Sequence, residues 1–342
     1  MTVKKYLGYH ARSRIGYVIT TTLICFLITF ISLMDERGGE VTAKTDSLFY
    51  IPAIVISIVA ILSAILEFAP FMNRRNLDAL YSLPIDRRSM YLVHYLTGFV
   101  STLIAHGISF WLVFFFWLPH SEFFSLGYAF PLYFISLVCG YIMYATVVFL
   151  FTQGNTIADG CITFALGSFA PPTFIFAIEE LFDLHTKFDI SGLLFYWSPI
   201  NIFTTTYQHV IDRDNYCVDY GNKIYVNYTL DDFFSQYETI VIIVFCLAIG
   251  IAATLGFFLT YHKKRVETLG EITTSWFSYR TMIPLFGYSL FAIVRISFFW
   301  CILLLTAMIV GYVIYRRTYR LKRSDLIVLG VYVIYCTFLI GL

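Results

Sequence analysis

The sequence predicts an all-α integral membrane protein, and three observations carry that prediction. Of 342 residues, 59% are hydrophobic and only 13% charged, where about a quarter charged is usual in a soluble domain. The few charges gather into short clusters separated by uncharged stretches of about 20 residues, long enough for a helix to span hydrocarbon with its backbone polar groups paired internally. The short alternating segments that mark a transmembrane β-barrel are absent from the pattern.

Six stretches free of Asp, Glu, Lys and Arg are read as spans: Ile15 to Met34, Ser47 to Leu66, Ser89 to Leu118, Phe123 to Phe151, Gly160 to Ile178 and Thr239 to Tyr261. The start, MTVKKYLGYHARSR, has the charge of a signal-peptide leader. The apolar run behind it is about twice the usual length and no A-x-A cleavage site follows, so it is taken as the first span. Farther on, Thr281 to Tyr315 is apolar apart from Arg295 and has basic sequence at both ends. One crossing would put one basic cluster on the wrong side, so a hairpin of two short arms is expected, with Arg295 near the outer turn where its stem can snorkel. Leu326 to Leu342 then crosses once more. The chain thus divides into a six-span core, residues 1–262 with an outer loop 179–238, and a segment 263–342 made of a cytoplasmic stretch, a helical hairpin and a last span. The ending FLIGL carries no polar anchor; it is expected either to rest in the outer interface or to have been followed by more sequence.

Orientation comes from the distribution of charge, since the net charge is only +1. Lys4, Lys5, Arg12 and Arg14 precede the first span, and Arg74, Arg75, Arg87 and Arg88 follow the second. Lys263, Lys264, Arg265 and Arg280 follow the sixth, and Arg316, Arg317, Arg320, Lys322 and Arg323 form a last cluster. Most of the 23 basic residues therefore fall in alternate loops, the cytoplasmic ones by the positive-inside rule. The loop 179–238 is acidic, with only Lys187, Arg213 and Lys223 against its carboxylates. The N-terminus is placed in the cytoplasm. Six of the seven cysteines lie in apolar runs and only Cys217 in a polar loop, which leaves no disulfide framework and no thiolate zinc site.

The loop RRNLDALYSLPIDRRSM, Arg74 to Met90, carries the densest pattern. Leu77, Leu80 and Tyr81 recur at helical spacing, Asn73 or Asn76 can cap, and Pro84 terminates, which makes a short amphipathic helix lying on the membrane surface. Arg74, Arg75, Asp78, Asp86, Arg87 and Arg88 face outward with charges of both signs. The pattern reads equally as a solvated loop or as a docking surface for a soluble partner.

The stretch NLDALYSLPIDRRSMYLVHYLTG resembles the signature of ABC-2 type permeases, the membrane subunits of ATP-driven exporters. In that family a short cytoplasmic helix after the second span inserts into a cleft on the ATPase. Arg75, Asn76, Asp78, Leu80, Ser82, Leu83, Pro84, Ile85 and Arg87 match its pattern position by position. A second stretch, Lys263 to Tyr288, resembles the segment after the sixth span in a Gram-positive branch linked to peptide and antibiotic export, with Glu267, Gly270, Glu271 and Pro284 at the matching places. WSPI, Trp197 to Ile200, resembles an element of that branch's outer loop. The resemblance implies a multi-pass protein of the bacterial cytoplasmic membrane. It would pair with a second permease subunit, in a homo- or heterodimer, and couple through Arg74 to Arg88 to a cytoplasmic ATPase that binds ATP and magnesium. The second cytoplasmic contact would be Glu267, Gly270 and Glu271, and the cargo an amphipathic peptide or antibiotic. A sensor or scaffold linking an ATPase to an outer domain, or a secondary transporter, stands as the alternative.

Within the spans, polar residues are few. Pro171 and Pro172 remove two helix hydrogen bonds and are expected to break and bend the fifth span, as a plain kink or as part of the transport pathway. Glu67 and Asp159 lie near cytoplasmic ends and Arg295 near the outer face, where solvent is expected to reach them. His106, near the middle of the third span, is either a neutral hydrogen-bonded imidazole or a pathway residue. No G-x-x-x-x-G-K-[ST] phosphate loop occurs, so any ATPase is a separate chain, and H-E-x-x-H, G-x-S-x-G and C-x-x-C are missing too. No basic stripe interleaved with aromatics points to nucleic acid. The 35 Phe and 26 Tyr suit an apolar cargo and a lipid-facing surface alike.

Overall fold

The computed structural model describes residues 3–35, 45–117, 126–182, 237–261, 279–294, 298–316 and 318–341, together with Glu271, Thr273 and Ser275. Cys217, the WSPI stretch, Arg295, Glu267 and Gly270 lie outside the described residues. Among those described, all regular structure is helical. In chain order the helices are α1 (Val3–Asp35), α2 (Thr45–Phe68), a 3₁₀ turn (Ala69–Met72), α3 (Arg74–Tyr81), α4 (Arg87–Trp117), α5 (Leu126–Thr152), α6 (Ile157–Phe182), α7 (Tyr237–Thr260), α8 (Tyr279–Val294), α9 (Phe298–Arg316) and α10 (Arg323–Gly341). Five helical stretches among the described residues are long and apolar enough to cross a membrane: Val3–Ile28, Val55–Met72, Arg87–Leu112, Ile157–Ile178 and Phe298–Arg316. Two shorter apolar stretches are Ser136–Thr152 and Val244–Thr260. The protein is all-α and built for a membrane.

Burial on α4 carries the same message at residue level. Leu92, Leu96, Val100, Ile104, Ile108 and Leu112 are exposed, while His94, Thr97, Ser101, Thr102, His106 and Ser109 on the other side are buried. A soluble protein reverses this arrangement. Here the apolar stripe suits lipid, and the buried hydroxyls return their protons to carbonyls one turn back, as Thr97 does to Val93 at 2.8 Å and Ser101 to Thr97 at 2.7 Å.

The helices fall into two compact units. The first comprises Met1–Glu67, Tyr81–Val147 and Pro199–Gly256. In it α1 packs on α4, with Cys25, Val55, Val59 and Ala105 in a shared core. Glycines let backbones approach: a Cβ on Gly140 would collide with Ile56, and one on Gly98 with the Tyr144 hydroxyl and, at 2.9 Å, with Glu67 Cγ. Thr254 ties α7 into the same unit. Its hydroxyl donates to the Gly250 carbonyl and accepts from Tyr95 and Tyr141, both at 3.0 Å.

The second unit comprises Phe68–Leu80, Val148–Ser198 and Phe257–Leu342. Here α8 packs on α6 and on α9. Tyr279 stacks on Tyr315 at 3.9 Å, a Cβ on Gly311 would sit 3.1 Å from Ile283, and one on Gly287 would meet Met308. These pairs run in opposite senses, so α8 and α9 are antiparallel. α9 and α10 are joined by a buried ion pair, Arg316 Nη2 to Asp325 at 2.8 Å, each side chain 4% exposed.

The expected break at Pro171 and Pro172 does not occur: α6 is one continuous helix from Ile157 to Phe182. Proline's fixed φ is itself helical, so the tandem withholds two donors while the helix continues through it. In the same turn the Thr173 hydroxyl bonds the carbonyls of Phe169 and Ala170 at 2.9 Å.

Candidate functional site

The charged surface between α2 and α4 is set up by local capping. Pro70 starts the 3₁₀ turn after α2, and Asn73 leaves it in extended backbone, φ −110° and ψ 122°. Of the two candidate caps, Asn73 takes the position. Its Oδ1 accepts from the Arg75 N–H at 3.1 Å, and its carbonyl accepts from Leu77 N–H at 2.9 Å. α3 then buries Leu77 and half-buries Leu80, leaving Arg74, Arg75, Asn76 and Asp78 exposed. It ends at Tyr81, three residues before Pro84.

Pro84 is the middle of a three-residue turn in which Ile85 N–H donates to the Leu83 carbonyl at 2.8 Å, a geometry that proline's fixed φ favours. Asp86 then starts α4, its carbonyl accepting from Met90 N–H at 3.0 Å. Pro84, Asp86, Arg87 and Arg88 are exposed and Leu83 is half-buried. The Arg87 guanidinium lies 4.2 Å from the centre of the Tyr81 ring, and the Tyr81 hydroxyl bonds that of Tyr91.

Within the second unit, α3 lines a hollow of about 600 Å³ with Met72, Asn73, Arg74, Arg75, Thr156, Ile157 and Glu271. Glu271 is held there by the turn between α5 and α6. Asn155 Nδ2 donates to the Glu271 carbonyl at 3.2 Å, Thr273 Oγ1 to the Gln153 carbonyl at 2.8 Å, and Ser275 Oγ to Gln153 Oε1 at 2.7 Å. Both stretches singled out in the sequence thus reach one concave surface, with Arg74, Arg75 and Glu271 among its lining residues. Asn155 and Gln153, which make the junction, carried no sequence signal.

The pathway candidates fall in different units, His106 in the first and Pro171 and Pro172 in the second. His106 is fully buried. Its Nε2 donates to Ser136 Oγ at 2.7 Å, and that hydroxyl passes its own proton to the Tyr133 carbonyl, also at 2.7 Å. The Tyr133 ring lies parallel to the imidazole at 5.9 Å. Nδ1 of His106 has no partner among the described residues.

Sequence reasoning placed Glu67 in solvent, and the structure corrects this: it is 1% exposed. Its Oε2 accepts from His10 Nε2 at 2.8 Å and from His94 Nδ1 at 2.9 Å, and Arg14 Nε lies 2.9 Å from Oε1. The carboxylate can only accept, so both imidazoles present an N–H to it. The outer Nε2 of His94 then takes the Tyr6 hydroxyl proton at 2.9 Å. The polar N-terminal segment continues as the first turns of α1, so Tyr6, His10 and Arg14, four residues apart, share one inward face. That spacing was readable, but the segment's charge hid it. Asp159, by contrast, stays half-exposed in the first turn of α6, its N–H bonded to Thr156 Oγ1 at 3.1 Å.

No family model matches the chain, and neither does a curated protein or a solved structure.

Proposed function

We propose that this chain is a membrane permease subunit of an ABC-2 type exporter, with the N-terminus in the cytoplasm of a bacterial cell and its six-span core paired with a second permease subunit. A separate ATPase, carrying ATP and magnesium, engages α3 and the segment around Glu271. Closure of the ATPases pushes on both, and the bundle opens outward to release an amphipathic substrate of the peptide or antibiotic kind.

The observation that supports this reading is the junction at the hollow. Two stretches about 200 residues apart in sequence, each resembling the permease pattern on its own, meet on one surface with exposed Arg75 and Glu271. A merely solvated loop needs no such convergence. Mixed charge around a concave floor suits a protein partner, because complementary charges set register while the apolar floor supplies contact.

The experiment is co-purification. The wild-type chain, solubilised from membranes, is expected to bring down a phosphate-loop ATPase, and reconstituted complex to hydrolyse ATP faster when cargo is added. If pull-down recovers no ATPase under conditions that keep the chain folded, the exporter reading fails. ATPase recovered without cargo-stimulated hydrolysis or transport favours the sensor or scaffold instead.

A further inference from the structure

The cluster around Glu67 plays no part in the transport reading. We propose that His10, Glu67 and His94 form a binding site for one divalent transition-metal cation, zinc foremost.

Convergence is the first argument. His10 Nε2, a Glu67 carboxylate oxygen and His94 Nδ1 lie within 4.8 Å of one another, each from a different helix of the first unit. The residues are 8%, 1% and 2% exposed. Zinc holds nitrogen and oxygen ligands at about 2.0 to 2.2 Å in a tetrahedron, which spaces them by about 3.4 Å. The present separations of 2.8 and 2.9 Å from Oε2 need only small side-chain rotations to open to that spacing.

The second argument is protonation. Ligation needs each imidazole to turn a lone pair toward the cation in place of the N–H it now gives to Glu67. Uptake of the cation then requires a tautomer shift and no net loss of protons. His94 moves its proton from Nδ1 to Nε2, and the Tyr6 hydroxyl, now a donor to Nε2, becomes the acceptor. A hydroxyl serves both roles, which a carbonyl cannot. His10 makes the same shift, and its side chain is 10% exposed, close enough to solvent for the outer nitrogen to be satisfied there.

The third argument is the surrounding shell. Tyr6 orients His94, and Arg14 holds the carboxylate oxygen not aimed at the imidazoles, the arrangement that fixes ligands in metal centres. Arg14 also opposes a second cation. Two imidazoles, one carboxylate and no thiolate favour zinc, cobalt or nickel over calcium or magnesium. Bound metal would clip α1 to α2 and α4.

The test uses the full chain in lipid nanodiscs, with any polyhistidine tag removed, stripped with chelator and then equilibrated with zinc sulfate. Elemental analysis is expected to find about one zinc per chain. His10→Ala and His94→Ala should each weaken zinc binding more than about tenfold, while Lys5→Ala, on the exposed face of α1, matches wild type. Cobalt in place of zinc should give wild-type protein the visible bands of a four-coordinate nitrogen and oxygen site, a readout that needs no variant to fold. A folded wild-type chain that takes up neither metal, or zinc retained undiminished by both histidine variants, overturns the proposal and leaves the cluster a hydrogen-bonded lock.

Discussion

Arg316 and Asp325 show what one residue pair can hold in this fold. Both side chains are 4% exposed, and Asp325 also accepts from the Lys322 backbone N–H at 3.1 Å, so one carboxylate joins α9 and starts α10. Asp325→Ala leaves a guanidinium buried without its counter-charge, and we expect a loss of about 3 to 5 kcal/mol, the usual cost of removing one partner of a buried pair. Thermal unfolding in detergent measures it; a loss below about 1 kcal/mol would mark the pair as solvated like a surface bridge. Glu67 teaches a related lesson. An ionisable residue near the end of a span was placed in water because nothing in the linear pattern reveals partners 57 and 27 residues away. His106 was legible as a buried, bonded imidazole, yet its partner Ser136 was not.

Among the elements, α4 depends on a close approach at Gly98. A Cβ there would meet Tyr144 and Glu67, neither of which can move without breaking hydrogen bonds, Tyr144 donating to the Tyr95 carbonyl at 3.0 Å. Gly98→Val should cost about 1 to 3 kcal/mol by overpacking, seen as a lowered unfolding temperature, whereas Val100→Ala on the lipid-facing stripe should change it little. α3 offers the functional counterpart. Arg74→Glu with Arg75→Glu reverses the charge on the hollow, and Pro84→Gly loosens the three-residue turn that follows. Both are expected to weaken ATPase association at least about tenfold while α2 and α4 stay inserted, because reversed rim charges act on association more than on folding. Pull-down and ATP hydrolysis equal to wild type in both variants would return α3 to the role of a solvated loop. Helix positions were legible here because uncharged runs announce themselves. Their ends were not: α1 begins at Val3 rather than near Ile15, since a helix continuing beyond lipid keeps its backbone pattern while losing its apolar one.

At the scale of the whole molecule, the distribution of basic residues predicts which face is cytoplasmic. Cys217 tests it, being the only cysteine in a polar stretch of sequence. A membrane-impermeant thiol reagent should label it on intact cells. Labelling that appears only after permeabilisation would invert the orientation, because carrying a single Lys or Arg through the bilayer centre costs about 2.5 to 3.5 kcal/mol on insertion scales and the basic clusters move together.

By itself the sequence determined that the protein is helical and membrane-embedded. Hydrocarbon imposes that information locally, since each segment must be apolar along its own length and satisfy its own backbone. Tertiary structure decided the rest. It showed that Asn155 and Gln153 hold the Glu271 stretch beside α3, that α6 stays one unbroken helix through two prolines, and that Tyr6, His10, Arg14, Glu67 and His94 close into one buried cluster. In each case the deciding contacts join residues distant in the chain or depend on a local hydrogen bond, neither of which hydropathy records.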